Sequence, residues 1–307
     1  MNFSELIGNE KIKQNLIKIL ENKTIAHSYM FIGTKGIGKK EFAKEFARGI
    51  LCENKDQKPC EQCKSCIEFI NTNNPDYYEI GLQEDENSIK IEAIRNMQKR
   101  VQELPIVSDR KVYIIDDSEL MTDQAQNCLL KTLEEPPEFV TIILIVSNEN
   151  LILNTIKSRC LKLYFNNLTE EEIKRYINSK IADIEFSENM VKASNGSIGK
   201  AINISENKYI YIELDKIFTN IDNYTITDVI SKLDILYKSK DEIYDILEYL
   251  NTIFIKKAKE NVKYVDYIKY VEETKRNINA NCNYDMSIDN LIFKIFNYFL
   301  ERKEEIY

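Results

Sequence analysis

Ala26-His-Ser-Tyr-Met-Phe-Ile-Gly-Thr-Lys-Gly-Ile-Gly-Lys-Lys40 is the stretch from which the fold is read. Tyr29 to Ile32 is a short apolar run closed by Gly33, the pattern of a buried strand. The loop Gly33-Thr-Lys-Gly36-Ile-Gly38-Lys39 follows. Lys39 to Cys52 then places Phe42, Ala43, Phe46, Ala47, Ile50 and Leu51 on one helical face. A glycine-rich loop between a strand and a helix N-terminus is the setting of a phosphate-binding loop. The glycines let backbone N–H groups point at phosphate, and the helix dipole favours negative charge. Lys39 is the side chain expected on the terminal phosphates.

On either side of the loop, strand-like and helix-like patterns alternate. Glu10–Glu21, Ile91–Leu104 and Thr122–Glu134 have helical spacing. Asp76–Leu82, Val112–Ile115, Ile142–Val146 and Leu161–Phe165 read as further strands. Ile142–Val146 is unbroken Ile, Leu and Val, as in a strand covered on both faces. Such alternation predicts an α/β domain with a mostly parallel sheet. The pattern changes at Asn166. Thr169-Glu-Glu-Glu172 is a capping box, and helical stripes follow. One stripe is Ile243, Ile246, Leu247, Leu250, Ile253 and Phe254; another is Leu291, Ile292, Ile295, Phe296, Phe299 and Leu300. The expected division is an α/β domain over 1–166, a small helical domain over 167–207 and an all-α domain over 208–307.

The phosphate loop departs from its motif in two places. The residue after Lys39 is normally Ser or Thr, whose hydroxyl binds magnesium; here it is Lys40. Asp116 ends an apolar strand where a magnesium-associated carboxylate belongs, but the water-activating Glu expected next is Asp117, one methylene shorter. A misplacement of about 1 Å can cost ~100-fold in rate. A degenerate site at Gly33, Gly36, Gly38, Lys39 and Asp116 is therefore expected, kept for its turn or for residual nucleotide binding rather than for efficient ATP hydrolysis.

Seven cysteines are present, and Cys52-x7-Cys60-x2-Cys63-x2-Cys66 gathers four of them. Four soft ligands at such short steps predict a structural zinc site with no open position, an iron–sulfur cluster being the other occupant of such a set. The lone His27 has no acid or nucleophile partner by spacing, and Glu134-Glu135 before Pro136 reads as a solvated helix end.

The 307 residues carry a formal charge of −8. Residues 1–167 hold 22 basic and 25 acidic side chains, the remainder 20 and 25. Neither half is a general polyanion binder, which disfavours a zinc-dependent DNA-binding protein. The longest apolar run is far too short to span a bilayer, and the N-terminus lacks the apolar stretch of a signal peptide. A cytoplasmic location is expected.

Taken together, several stretches resemble the delta-prime family of bacterial DNA polymerase III clamp-loader subunits, within the AAA+ superfamily. They are Ala26–Phe31 with the loop, the four-cysteine insertion, Lys111-Val-Tyr-Ile-Ile-Asp116, Leu129-Leu-Lys-Thr-Leu-Glu-Glu-Pro-Pro137 and Ser158-Arg-Cys160. The resemblance implies an AAA+ domain with a zinc knuckle, a helical lid and an all-α collar. It implies a non-motor stator within a heteropentamer that opens a sliding clamp and closes it on primed DNA. Gamma/tau-type ATPase subunits and a delta subunit would be its partners. Arg159 maps onto the arginine that this family offers in trans to a neighbouring ATP. Asn148 maps onto a polar sensor, and Gly199 onto the position of a second sensor arginine, with Lys200 one place off. The competing expectation is an active gamma/tau-type motor, opposed by Lys40, Asp117 and Gly199.

Overall fold

The computed structural model describes residues 3–54, 58–83, 86–180, 186–219, 231–262 and 264–304, with side chains up to Ile295 in the last segment. It divides into two compact units, Met1–Glu172 and Ile173–Tyr307.

The first unit is built on five parallel strands: β1 (Ser28–Ile32), β2 (Tyr77–Ile80), β3 (Lys111–Ile115), β4 (Val140–Val146) and β5 (Leu161–Tyr164). Their order across the sheet is β2-β3-β4-β1-β5. Phe31 is level with Ile145, and Ile143 with Ile114. Every residue of β1, β3 and β4 is buried, so apart from Ser28, Lys111 and Thr141 these strands read as apolar runs rather than alternating ones. The period of two then sorts them between two cores. Tyr29, Phe31, Ile114, Ile143 and Ile145 share one core with Leu16 of α1 (Glu10–Glu21) and with Phe42 and Phe46 of α2 (Lys39–Leu51). Met30, Tyr113, Ile115, Ile142 and Leu144 share the other. There they join Ile94 and Met97 of a helix, here numbered α4 (Ile91–Val101), and Ala125 and Leu129 of α5 (Asp123–Glu134). A short α3 (Lys64–Ile70) lies between α2 and β2 in the chain, and α6 (Asn154–Lys157) between β4 and β5.

Several boundaries move from their expected places by a few residues, and the physical cause is plain for two of them. β4 starts at Val140, because Val140 and Thr141 pair with Lys111 and Val112 of β3. The helix expected to reach Leu104 stops at Val101. The chain beyond it is held by the buried carboxylate of Asp76, which accepts backbone N–H bonds from Ile106, Val107 and Ser108 at 2.7, 2.7 and 2.8 Å.

The capping box forms as expected at the start of α7 (Glu170–Lys180): the Glu172 amide donates to Thr169 Oγ1 at 3.2 Å and the Thr169 amide to Glu172 Oε2 at 2.8 Å. The described residues of the second unit contain helices and no strand. They form α8 (Glu188–Ala193), α9 (Ile198–Glu206), α10 (Lys208–Thr219), α11 (Asp234–Lys238), α12 (Ile243–Ala258), α13 (Tyr264–Asn279) and α14 (Tyr284–Glu304). One core runs from Met190 to Ile295 and takes in both expected stripes as far as Ile295. The side chains of Phe296, Phe299 and Leu300 lie outside the described residues. No described helix is long and apolar enough to cross a membrane.

Candidate functional site

The glycine loop leaves the C-terminal end of β1 and enters α2 at Lys39. Gly38 has φ 94°, a backbone conformation that side chains disfavour. Gly33 is required for space: a Cβ there would lie 2.7 Å from Ile37 Cδ1 and 2.8 Å from the Phe165 carbonyl. Lys39 does not reach outward. It is 5% exposed, and its ammonium donates to the Gly33 carbonyl, to the Thr34 carbonyl at 2.8 Å and to Ser147 Oγ at 3.2 Å. Burial lowers its pKa, against the opposing pull of Glu119, Asp117 and Asp116. Glu119 is fixed by the Ser147 amide, which donates to Oε1 at 3.0 Å; its buried Oε2 has no partner among the described residues.

The other loop lysines are also paired within the chain. Lys35 lies 3.5 Å from Asp117. Lys40 lies 3.0 Å from Asp116 Oδ2 and 3.1 Å from Glu79 Oε2, and Lys44, one turn along α2, is 3.3 Å from Glu79 Oε1. The two carboxylates meet because β2 and β3 are parallel neighbours: Glu79 is level with Ile114, and the Asp116 amide donates to the Ile80 carbonyl at 2.8 Å. Burial opposes the charge on Lys40, but its bonds to Asp116 and Glu79 outweigh that and raise its pKa. Burial likewise opposes the charge on Glu79, but Tyr77 and Lys40 hold its pKa below the usual carboxylate range. A magnesium ion prefers oxygen ligands at roughly 2.0–2.1 Å. Here an ammonium stands against Asp116 where the motif needs a hydroxyl, so the residues present do not fit a magnesium-dependent nucleotide site. Asn148 is exposed and caps a 3-10 turn, its Oδ1 accepting from the Asn150 amide at 3.1 Å. Ser147, its neighbour, is the residue that touches Lys39.

Arg159 belongs to the opposite end of the sheet. It follows α6 and precedes β5, and Ser28 at the start of β1 donates to its carbonyl at 2.6 Å. The glycine loop leaves the far end of the same strand. Five residues at about 3.3 Å each separate the two ends by roughly 15 Å. Arg159 is therefore brought together with neither Lys39 nor Asp116. Its guanidinium lies 2.8 Å from Glu134 Oε1 at the end of α5 and donates to the Thr155 carbonyl at 2.8 Å. Glu134, expected to be merely solvated, is its ion-pair partner.

The four cysteines do converge. Cys52 caps the C-terminus of α2, and Cys63 and Cys66 open α3, with Cys60 in the loop between. Their sulfurs all lie within 4.8 Å of one another, and Cys52 and Cys63 are 4.0 Å apart. A tetrahedral site with Zn–S bonds of about 2.3 Å spaces its sulfurs by about 3.8 Å, so the set is positioned to bind a metal ion. The amides of Cys63 and Cys66 donate to the sulfurs of Cys60 and Cys63 at 3.3 and 3.4 Å. Burial opposes the Cys60 thiolate, but donors from Gln62 and Cys63 prevail and bring its pKa down to about 7. Burial raises the pKa values of Cys52 and Cys66. Beside the cluster, buried Arg48 lies 2.7 Å from buried Glu45 and 3.3 Å from Glu61 of the cysteine loop.

His27 is exposed at the entry to β1 and lies 3.4 Å from the Val140 carbonyl. In the second unit, Gly199 sits in the first turn of α9, and Lys200 pairs with Asp245 of α12 at 3.7 Å.

A family model described as DNA polymerase III, delta subunit, matches residues 8–169, more than half of the chain. The chain belongs to that family. The chain is also similar to DNA polymerase III subunit tau of Bacillus subtilis, 32% identical over 276 residues, 86% of this chain and 48% of that protein. A second similar protein is DNA polymerase III subunit tau/gamma of Haemophilus influenzae, 32% identical over 211 residues, 66% of this chain and 30% of that protein. The chain thus spans about a third to a half of the length of these curated relatives. Among solved structures, a DNA polymerase III gamma subunit-related protein of Thermotoga maritima aligns over 90% of this chain and 97% of that one, at a TM-score of 0.50 and 18% identity. That likeness is one of fold.

Glu79, Glu119 and Ser147 are the neighbours of the loop that the sequence did not single out; they meet it only through the order and packing of the strand ends.

Proposed function

We propose that this chain is a delta-prime-type, non-motor subunit of a clamp loader, offering Arg159 in trans to the ATP of a neighbouring gamma/tau-type ATPase subunit. The observation that carries this reading is the placement of Arg159 and the glycine loop at opposite ends of β1, with Lys39, Lys40 and Lys35 all engaged within the chain. Arg159 cannot serve its own loop, and its side chain is partly open to solvent. A guanidinium is planar, permanently charged and bidentate, so it matches charge building on a transferring phosphoryl group. The partners in this reading are gamma/tau-type ATPase subunits and a delta subunit, and the whole assembly acts on the sliding clamp and primed DNA. Residues 167–207 serve as a lid and 208–307 as a collar. The four cysteines hold one structural zinc that fastens the turn between α2 and α3; such a metal adds folding free energy and no chemistry of its own.

The test is ATP turnover by the purified chain alone, with magnesium and primed DNA, across a range of concentrations. No turnover at any concentration is expected. A second reading, an active gamma/tau-type motor, is favoured by the 32% identity to tau and tau/gamma proteins. Robust turnover by the isolated chain establishes it and rejects the first.

A further inference from the structure

The ion pairs of Lys40 carry an inference that deepens the non-motor reading and rests on it, with residues 33–39 taken as a degenerate nucleotide loop. Asp116 and Glu79 lie at the C-terminal ends of adjacent parallel strands, facing the first turn of α2. The Lys40 ammonium is within 3.1 Å of an oxygen from each, and Lys44 closes on the second oxygen region of Glu79 at 3.3 Å. Glu79 Oε1 also accepts from the Tyr77 hydroxyl at 2.6 Å. Two cations thus match two anions in a cluster that is charge-balanced by the chain itself. A divalent ion entering it would have to displace an ammonium that cannot diffuse away, and it would gain no ligand at residue 40, since an ammonium has no lone pair.

We propose that the Lys40 ammonium is a tethered replacement for the divalent cation of this loop, holding Asp116 and Glu79 together and keeping the site free of metal. Loss of the hydroxyl at this position is then more than a deletion. The same substitution that removes a metal ligand installs a permanent positive charge in the metal's neighbourhood, and the loop keeps its shape without magnesium.

Mn2+ is the probe, added to the full chain and followed by the electron paramagnetic resonance signal of the free ion and by thermal melting. The unsubstituted chain and its Asp116→Asn variant are expected to take up Mn2+ equally, and Mn2+ should leave their melting unchanged. Lys40→Thr is expected to gain one Mn2+ per chain, bound at least about tenfold more tightly than by the unsubstituted chain, and to melt higher when Mn2+ is present; about 1.4 kcal/mol corresponds to that factor. Adding Asp116→Asn to Lys40→Thr should abolish the gain. Lys40→Gln keeps the length of the side chain, offers a carbonyl oxygen and carries the same expectation if the Thr variant does not fold. Lys40→Arg keeps the charge and should still exclude Mn2+. Folded Thr or Gln variants that gain no Mn2+, or an unsubstituted chain that binds it at Asp116 as tightly as they do, overturn the proposal. The readout is cation binding by this chain, so it fails separately from the role of Arg159, which is read from a partner's turnover.

Discussion

The two ends of β1 adjoin the two motifs on which the proposed function rests, and they treat their cations in opposite ways. At the C-terminal end, Lys39 is buried against its own loop, and Lys35 and Lys40 are paired with Asp117 and Asp116. At the N-terminal end, Arg159 keeps 35% of its side chain in solvent and holds an ion pair with a half-exposed Glu134. An exposed pair contributes on the order of 0–1 kcal/mol, so a better partner can replace it readily. Replacing the partners of Lys39 would require breaking several bonds in a buried place, where each lost bond costs about 1–3 kcal/mol. A motif in sequence reports that a side chain exists; its partners decide whether it is available.

The sharpest way to break this contrast is at Arg159. Arg159→Ala in an assembly reconstituted with gamma/tau-type subunits is expected to slow turnover at the neighbouring motor site by ~10³-fold or more. Arg159→Lys should recover little of it, because a point charge cannot be bidentate. Rapid single-turnover hydrolysis checks both, and unchanged rates would remove Arg159 from the mechanism.

The cysteine cluster sits at the far end of α2 from Lys39 and offers a third kind of behaviour, a motif whose groups all converge for use. Elemental analysis should find about one zinc per chain, since four thiolates complete one tetrahedral site. Cys66→Ser should lose that metal and destabilise the first unit by about 3 kcal/mol, which is roughly 6–12 °C in melting temperature. Metal-free protein that melts as high as the holo form would contradict the assignment.

A smaller effect comes from the middle of α2. Burial raises the Glu45 carboxyl to about 7 from an ordinary 4.5, although Arg48 pulls it the other way. The folded state therefore binds a proton that the unfolded state has released between those values. Stability should fall as pH rises from 4.5 to 7, by on the order of 1–3 kcal/mol from this group. Glu45→Gln should flatten that slope in denaturant titrations at each pH; a slope that survives the change assigns it elsewhere.

The smallest effect is expected at Glu134. Glu134→Gln should change stability by less than about 1 kcal/mol and leave the fold intact. A loss of several kcal/mol in chemical denaturation would show that Arg159 is a structural residue and end the comparison.

Much of this was legible beforehand, for reasons that separate the parts. Strands β1, β3 and β4 are covered on both faces, so most of each is an apolar run, closed by Gly33, by Asp116-Asp117 and by Ser147. The four cysteines are close enough in the chain that short spacing alone brings them together. Glu79 was not legible, because it faces Lys40 only through the pairing of β2 with β3, and an edge strand of mixed polarity carries little signal. Glu134 lies far from Arg159 in the chain and meets it only where α5 ends beside the entry to β5. The overshoot of the helix beyond Val101 has a similar origin: Leu104 extends the apolar pattern, but three backbone bonds to Asp76 draw the following chain elsewhere.

The central claim is that this chain acts on a neighbour's nucleotide and not on its own. The most direct measurement compares Lys39→Ala with Arg159→Ala in the same reconstituted assembly, following ATP turnover at saturating clamp and primed DNA. The account predicts turnover within about twofold of the unsubstituted assembly for Lys39→Ala and a collapse at the adjacent motor site for Arg159→Ala. A collapse with Lys39→Ala and none with Arg159→Ala would mean that the loop is the working site and that the chain is a motor.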